Sequence, residues 1–143
     1  MMKKNGFSLV EVLVAMVVLS VGLLGLAGMM ASTVRNNHSA YHRSQATWLA
    51  YDMIDRIRAN REAALAPANN FNIALGTTTT TSTGVVAGDI SAWKGRLAAA
   101  LPAGDGSVSV VPATRRVTVV VRWNDSRGTG GSDVQQFVVE TQL

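Results

Sequence analysis

Gly6-Phe7-Ser8-Leu9-Val10-Glu11-Val12 opens a stretch that stays uncharged from Val12 through Val34. A helix needs about 20 apolar residues to cross the hydrocarbon core of a bilayer, and this stretch supplies them. Ahead of it lies only Met1-Met2-Lys3-Lys4-Asn5-Gly6, a short basic leader that closes on glycine. A secretory signal peptide has its small-residue cleavage site behind a shorter apolar core. Here the small residue stands in front of a longer one. Cutting after Gly6 would remove both lysines and leave the whole apolar helix on the mature chain. Phe7 would become the new N-terminus, with Glu11 one helical turn away. A carboxylate at depth in a membrane costs roughly 2.5 kcal/mol or more, so Glu11 marks a functional position with a partner.

Lys3-Lys4-Asn5-Gly6 followed by Phe7-Ser8-Leu9-Val10-Glu11-Val12-Leu13-Val14-Ala15 resembles the prepilin-type signal of type IV pilins and type II secretion pseudopilins. The resemblance implies cleavage after Gly6 by a prepilin peptidase, N-methylation of Phe7 and assembly into a pilus-like filament. It also implies that Glu11 meets the α-amine of Phe7 on a neighbouring subunit, two buried charges neutralising each other. The residues themselves leave two further readings of Glu11 open: a pair with the amine of its own chain, or an acid favoured by the helix dipole. Three later stretches are similar to the PilV-type minor pilins, the type IV pilus modification proteins. They are Tyr51–Arg61, the Trp93…Leu97…Leu101-Pro102 segment, and Val117–Asp125.

The chain of 143 residues has room for one small domain beyond the apolar segment. The expected organisation is a leader over 1–6, a transmembrane and filament-core helix over 7–32, and an exported α+β domain over 33–143. Lys3 and Lys4 hold the N-terminus in the cytoplasm by the positive-inside tendency. That puts the chain in the inner membrane as a single pass before assembly, and on the pilus or cell surface after it, with its C-terminal domain periplasmic or extracellular. Net charge is +4, but without the two leader lysines it is eleven basic against nine acidic residues, or +2. With no basic stripe interleaved with aromatics, nucleic acid is not an expected partner. Cysteine is absent, which excludes disulfides and thiolate metal sites. Many major pilins close a C-terminal loop with a disulfide; lacking one, this chain fits a minor pilin better.

Between Thr33 and Leu65 there is neither Pro nor Gly. Ala46, Leu49, Met53 and Ile57, with Ala50 and Ile54 beside them, form the stripe of an amphipathic helix. One helix is therefore expected from about Ser8 to Ala66, ended by Pro67. Its outer face carries the surface pairs Asp52–Arg56 and Asp55–Arg58. Gly22, Gly25 and Gly28 interrupt the apolar half, either to let neighbouring helices pack closely or to unwind locally in a filament.

Asn69 to Gly88, rich in threonine, reads as a surface loop or a loosely ordered connector. Asp89 reads as the N-cap of a short helix with Ile90, Trp93, Leu97 and Leu101 on one stripe. Strands are expected at Ser107–Val111, Arg116–Trp123 and Val134–Thr141, joined by a turn at Pro112–Arg115 and a loop over Asn124–Asp133. The fold class is α+β, a long N-terminal helix whose second half packs on a small antiparallel sheet.

No nucleophile elbow, phosphate loop or pair of catalytic carboxylates appears, so an enzyme is not expected, nor a cofactor or metal. His38 and His42 have metal-ligand spacing, but no third ligand accompanies them, and both read as polar positions facing solvent. Asp125 and Asp133 lack the spacing of a calcium loop and read as parts of an ordinary hairpin loop. Trp48, Trp93 and Trp123 read as core and interface anchors. The leading expectation is a non-enzymatic minor pilin that helps initiate, cap or modify a type IV pilus. Its partners would be other minor pilins, the major pilin, the prepilin peptidase and the inner membrane. The alternatives are a type II secretion pseudopilin, or a membrane-anchored adhesin that binds through the Asn124–Asp133 loop.

Overall fold

A computed structural model describes residues 6–68, 70–128 and 130–143. Its main element is α1, Leu9–Ala59, an unbroken helix of 51 residues, about 77 Å long at about 1.5 Å per residue. Gly22, Gly25 and Gly28 lie inside it without interrupting it, and a Cβ at any of them would meet nothing within 4 Å. The expected run to Ala66 is broken once. Asn60 leaves the helical region at φ −115°, ψ 45°, and its side-chain amide donates to the Arg56 carbonyl at 3.3 Å. A short amide side chain that competes for its own helix carbonyl favours an end over a continuation. The five-residue α2, Arg61–Leu65, then carries the chain on to Ala66.

The stripe read from the sequence is the buried face of α1: Ala46, Leu49, Ala50, Met53, Ile54 and Ile57. Across from it lies a three-stranded antiparallel sheet in the order β1–β2–β3, with β1 at Asp105–Val111, β2 at Arg116–Trp123 and β3 at Gln135–Gln142. Register is fixed by pairs such as Val108 with Val119 and Val121 with Phe137. Val117, Val119, Val121 and Trp123 all point inward from the central strand. Phe137 and Val139 pack half-buried beside them, while Gln136 and Glu140 face out. A four-residue turn at Pro112–Arg115 joins β1 to β2, closed by the Arg115 N–H donating to the Pro112 carbonyl at 3.2 Å.

The third wall of the core is α3, Gly84–Ala100, which buries Val86, Ile90, Trp93 and Leu97. It begins six residues earlier than expected, with Thr83 as its N-cap, so Gly84–Asp89 is helical and Asp89 is not a cap. Two glycines and a threonine tract lower the intrinsic helix propensity here. Burial of Val86 overrides it, as tertiary packing often does. The preceding segment is also less loop-like than expected. Phe71 and Ile73 are buried, and Ile73 forms an isolated antiparallel bridge with Val108. Trp93 donates its indole N–H to the Leu49 carbonyl at 2.8 Å and so ties α3 to α1. Its ring reaches the sheet because residue 106 is glycine: a Cβ there would lie 2.4 Å from the ring and 2.9 Å from the Val120 carbonyl. Trp123 is likewise a core residue, but Trp48 is 79% exposed and anchors nothing within the chain.

Candidate functional site

The residues that the sequence marks for function sit at the free end of α1, far from the folded domain. Ser8 is the N-cap, with extended backbone (φ −72°, ψ 145°) and no side-chain cap. Its carbonyl accepts from the Glu11 N–H at 3.0 Å and from the Val12 N–H at 3.2 Å, which starts the helix. Glu11 therefore lies in the first turn, where unpaired N–H groups and the positive end of the helix dipole favour a carboxylate. Phe7 is 84% exposed and Gly6 is open on all sides. Lys3 and Lys4 lie outside the described residues.

From Leu9 to Met30 the helix shows one large apolar side chain after another to the outside, and none of this segment is buried. Soluble monomers rarely expose contiguous apolar patches beyond a few hundred Å². This surface, apolar on every side of the helix, needs lipid or other helices to cover it. By length and composition α1 is a candidate membrane span.

The domain half of α1 carries a charge network that helical spacing reveals only in part. Asp52 and Arg56 pair as expected, with Nε to Oδ2 at 3.0 Å. Arg56 also pairs with Asp89 of α3, and Arg96 of α3 donates to Asp52 at 2.8 Å. The Asp52 and Asp89 carboxylates, in that order of effect, hold the Arg56 guanidinium above its ordinary pKa. Two acids and two arginines thus alternate across the α1–α3 seam. On the far side of α3, Lys94 meets Asp105 at 2.5 Å. Burial pushes the Asp105 carboxyl up. The Gly76 N–H at 2.6 Å and the Lys94 ammonium outweigh it and hold the group below the usual carboxylate range.

A second feature lies where α1 enters the domain. Asp125 is buried, at 4% exposure, and accepts a hydrogen bond from Ser39 Oγ at 2.5 Å. Its own N–H donates to the Ser132 carbonyl and its carbonyl accepts from Gly128, both at 2.9 Å. The Asp125–Gly128 turn is therefore pinned to α1, within a hairpin loop that joins β2 to β3 as expected. A Cβ at residue 131 would lie 1.8 Å from the Asp125 carbonyl oxygen, so only glycine fits there. Between the loop and the helix runs a groove of about 830 Å³, lined among others by Arg35, His38, His42 and Arg127. His38 is exposed as expected, but His42 is half-buried, with an Nδ1 that has no hydrogen-bond partner among the described residues. Among those residues no group of three or more His, Asp or Glu could hold a metal ion. The long-range partners Ser39–Asp125, Arg56–Asp89 and Arg96–Asp52 have no sequence signal, because no spacing rule relates residues on different elements.

Residues 1–27 match the family described as the Prokaryotic N-terminal methylation motif. No curated protein and no solved structure matches the chain. The motif is the type IV pilin-like prepilin signal, and it supports a type IV pilin-like protein. With the apolar helix behind it, it supports membrane anchoring and assembly with other pilins after peptidase processing. Proteins that carry it are generally structural, not enzymatic.

Proposed function

We propose that this chain is a minor pilin of the PilV type, which helps initiate, cap or modify a type IV pilus without catalysing a reaction. The observation that carries the reading is the junction at Gly6-Phe7. A basic leader ends on glycine, and directly behind it stands an exposed apolar helix with one acid, Glu11, in its first turn. The leader is cut after Gly6 and Phe7 is methylated. The helix waits in the inner membrane with the α+β domain outside the cytoplasm. On extraction, Glu11 meets the Phe7 amine of a neighbouring subunit, and the apolar surface passes from lipid to sister helices. The PilV-like stretches at Tyr51–Arg61 and Val117–Asp125 favour the pilus over a secretion pseudopilin. The adhesin alternative loses support because the Asn124–Asp133 loop lies against α1 at Ser39 and not at the far end of the domain.

Intact-mass analysis in cells with an active prepilin peptidase tests the first step. The wild-type chain is expected to begin at methylated Phe7, and Gly6→Val to accumulate almost wholly as uncut precursor absent from sheared pili. Wild-type protein that retains Met1 in such cells would end the proposal.

A further inference from the structure

The groove beside Ser39 holds more positive charge than the domain itself uses. Arg35, His38 and His42 stand at i, i+3 and i+7, hence on one face of α1, and Arg127 comes to the same groove from the pinned loop. Neither arginine has an ion-pair partner among the described residues. The one acid among the described lining residues, Asp125, is engaged by Ser39. Even with both imidazoles neutral the groove is cationic, and the His42 Nδ1 is buried with no partner. Guanidinium and imidazole N–H groups that converge on a shared space suit a phosphate oxygen cluster. The turn that carries Arg127 is held by its own Gly128-to-Asp125 backbone bond and by the Ser39–Asp125 contact, which lessens the ordering needed on binding.

The position of the groove along α1 indicates which phosphate it meets. Arg35 is the first charged residue after the uncharged run, and it lies 24 residues beyond Glu11, about 36 Å along the helix. A hydrocarbon core of about 30 Å sits within about 40–45 Å including headgroups. With Glu11 at one edge of the core, Arg35 stands at headgroup level on the other side, and His38 and His42 lie just above. We propose that this groove binds the phosphate of an anionic phospholipid headgroup in the leaflet on the domain's side, seating the domain on the membrane before the helix is extracted. The proposal rests on the reading that α1 spans the membrane.

The test uses the full-length chain in non-ionic detergent micelles, with bound lipid counted by native mass spectrometry against phosphatidylglycerol, phosphatidylcholine and inorganic phosphate. Phosphatidylglycerol is expected to bind about tenfold more tightly than phosphatidylcholine. Arg35→Gln and Arg127→Gln should each weaken it about fivefold, charge-assisted contacts being roughly twice as strong as neutral ones. Arg43→Gln, on an exposed residue of the same helix that does not line the groove, should leave it unchanged. Equal affinity for the two lipids would overturn the proposal, as would an equal loss in Arg43→Gln. Inorganic phosphate displacing the lipid at equal concentration would leave a free-phosphate site and remove the membrane from the idea. Carbonate extraction of cell membranes separates the two readings. A chain that resists extraction but shows no lipid preference defeats the groove proposal alone, and a chain that is stripped off defeats the membrane reading beneath it.

Discussion

The two halves of α1 share one backbone geometry and meet opposite surroundings. From Leu9 to Met30 the helix is apolar on every side and buries nothing. From Ala46 to Ile57 it is apolar along one stripe, and every residue of that stripe is buried. No proline, glycine pair or cap separates them. The distribution of side chains around the helix decides which solvent each half needs. An all-round apolar surface calls for lipid or sister helices, while a stripe calls for one partner face, which α3 and the sheet provide. The first half is therefore incomplete in the single chain, and the second is complete.

If that division is right, the second half folds without the first. A fragment beginning near Asn36 should be soluble and melt cooperatively, with mixed helix and strand by circular dichroism. Val119→Asp should unfold it, because the residue is fully buried at the centre of the sheet and an unpaired buried charge costs about 3–5 kcal/mol. Leu49→Asp attacks the same core from the helix side. An unchanged melt for both variants would show that the stripe and sheet do not depend on each other.

A subtler lesion comes from Gly106. Gly106→Ala places a methyl group into the Trp93 ring and the Val120 carbonyl, which the β1–β2 register cannot easily vacate. Overpacking of this kind costs about 1–3 kcal/mol. Urea denaturation should show a lowered midpoint with the slope unchanged. A midpoint equal to wild type would mean that the indole has room to move.

The first half answers to a different assay. Glu11→Val removes a charge from the membrane edge, so insertion and processing should be at least as efficient as in wild type. Incorporation into filaments should fall about tenfold, the equivalent of about 1.4 kcal/mol in subunit pairing. The domain melt should not change, since Glu11 makes no contact with the core. Wild-type abundance of this variant in sheared pili would reduce Glu11 to an acid held by the helix dipole.

The same contrast explains what the sequence reveals. Period-3.6 and period-2 patterns found the α1 stripe and the inward face of β2 to the residue, because those faces pack against apolar neighbours and nothing else competes. Glu11 and the Gly6-Phe7 junction stand out in the sequence because a lone charge marks the start of a long apolar run, and their roles belong to the proposal. The break at Asn60 escaped, since one amide hydrogen bond outweighs propensity there. The early start of α3 escaped because burial of Val86 overrules two glycines. The groove escaped entirely. Its charged members come from α1 and from a loop more than eighty residues away, which meet at contacts such as Ser39–Asp125.

The smallest expected effect sharpens the account of the complete half. Lys94 and Asp105 bind α3 to the start of β1, and the Gly76 N–H donates to the same carboxylate. Because the folded chain holds Asp105 below its ordinary pKa, the ionised form is favoured by folding. That contribution is fully present above the unfolded value of about 3.9 and fades as pH falls through the lower folded value. Asp105→Asn should cost about 0.5–1 kcal/mol at pH 7, since the pair is close to the surface and screened by solvent. As pH falls through the lowered folded value the wild-type and Asn melting curves should draw together, because protonation removes from the wild type what the substitution has already removed. Melting temperatures measured from pH 7 down to pH 2.5 would show this. A gap between the two proteins that stays constant across the range would assign the loss to altered hydrogen bonding at Gly76, and not to the charge on Asp105.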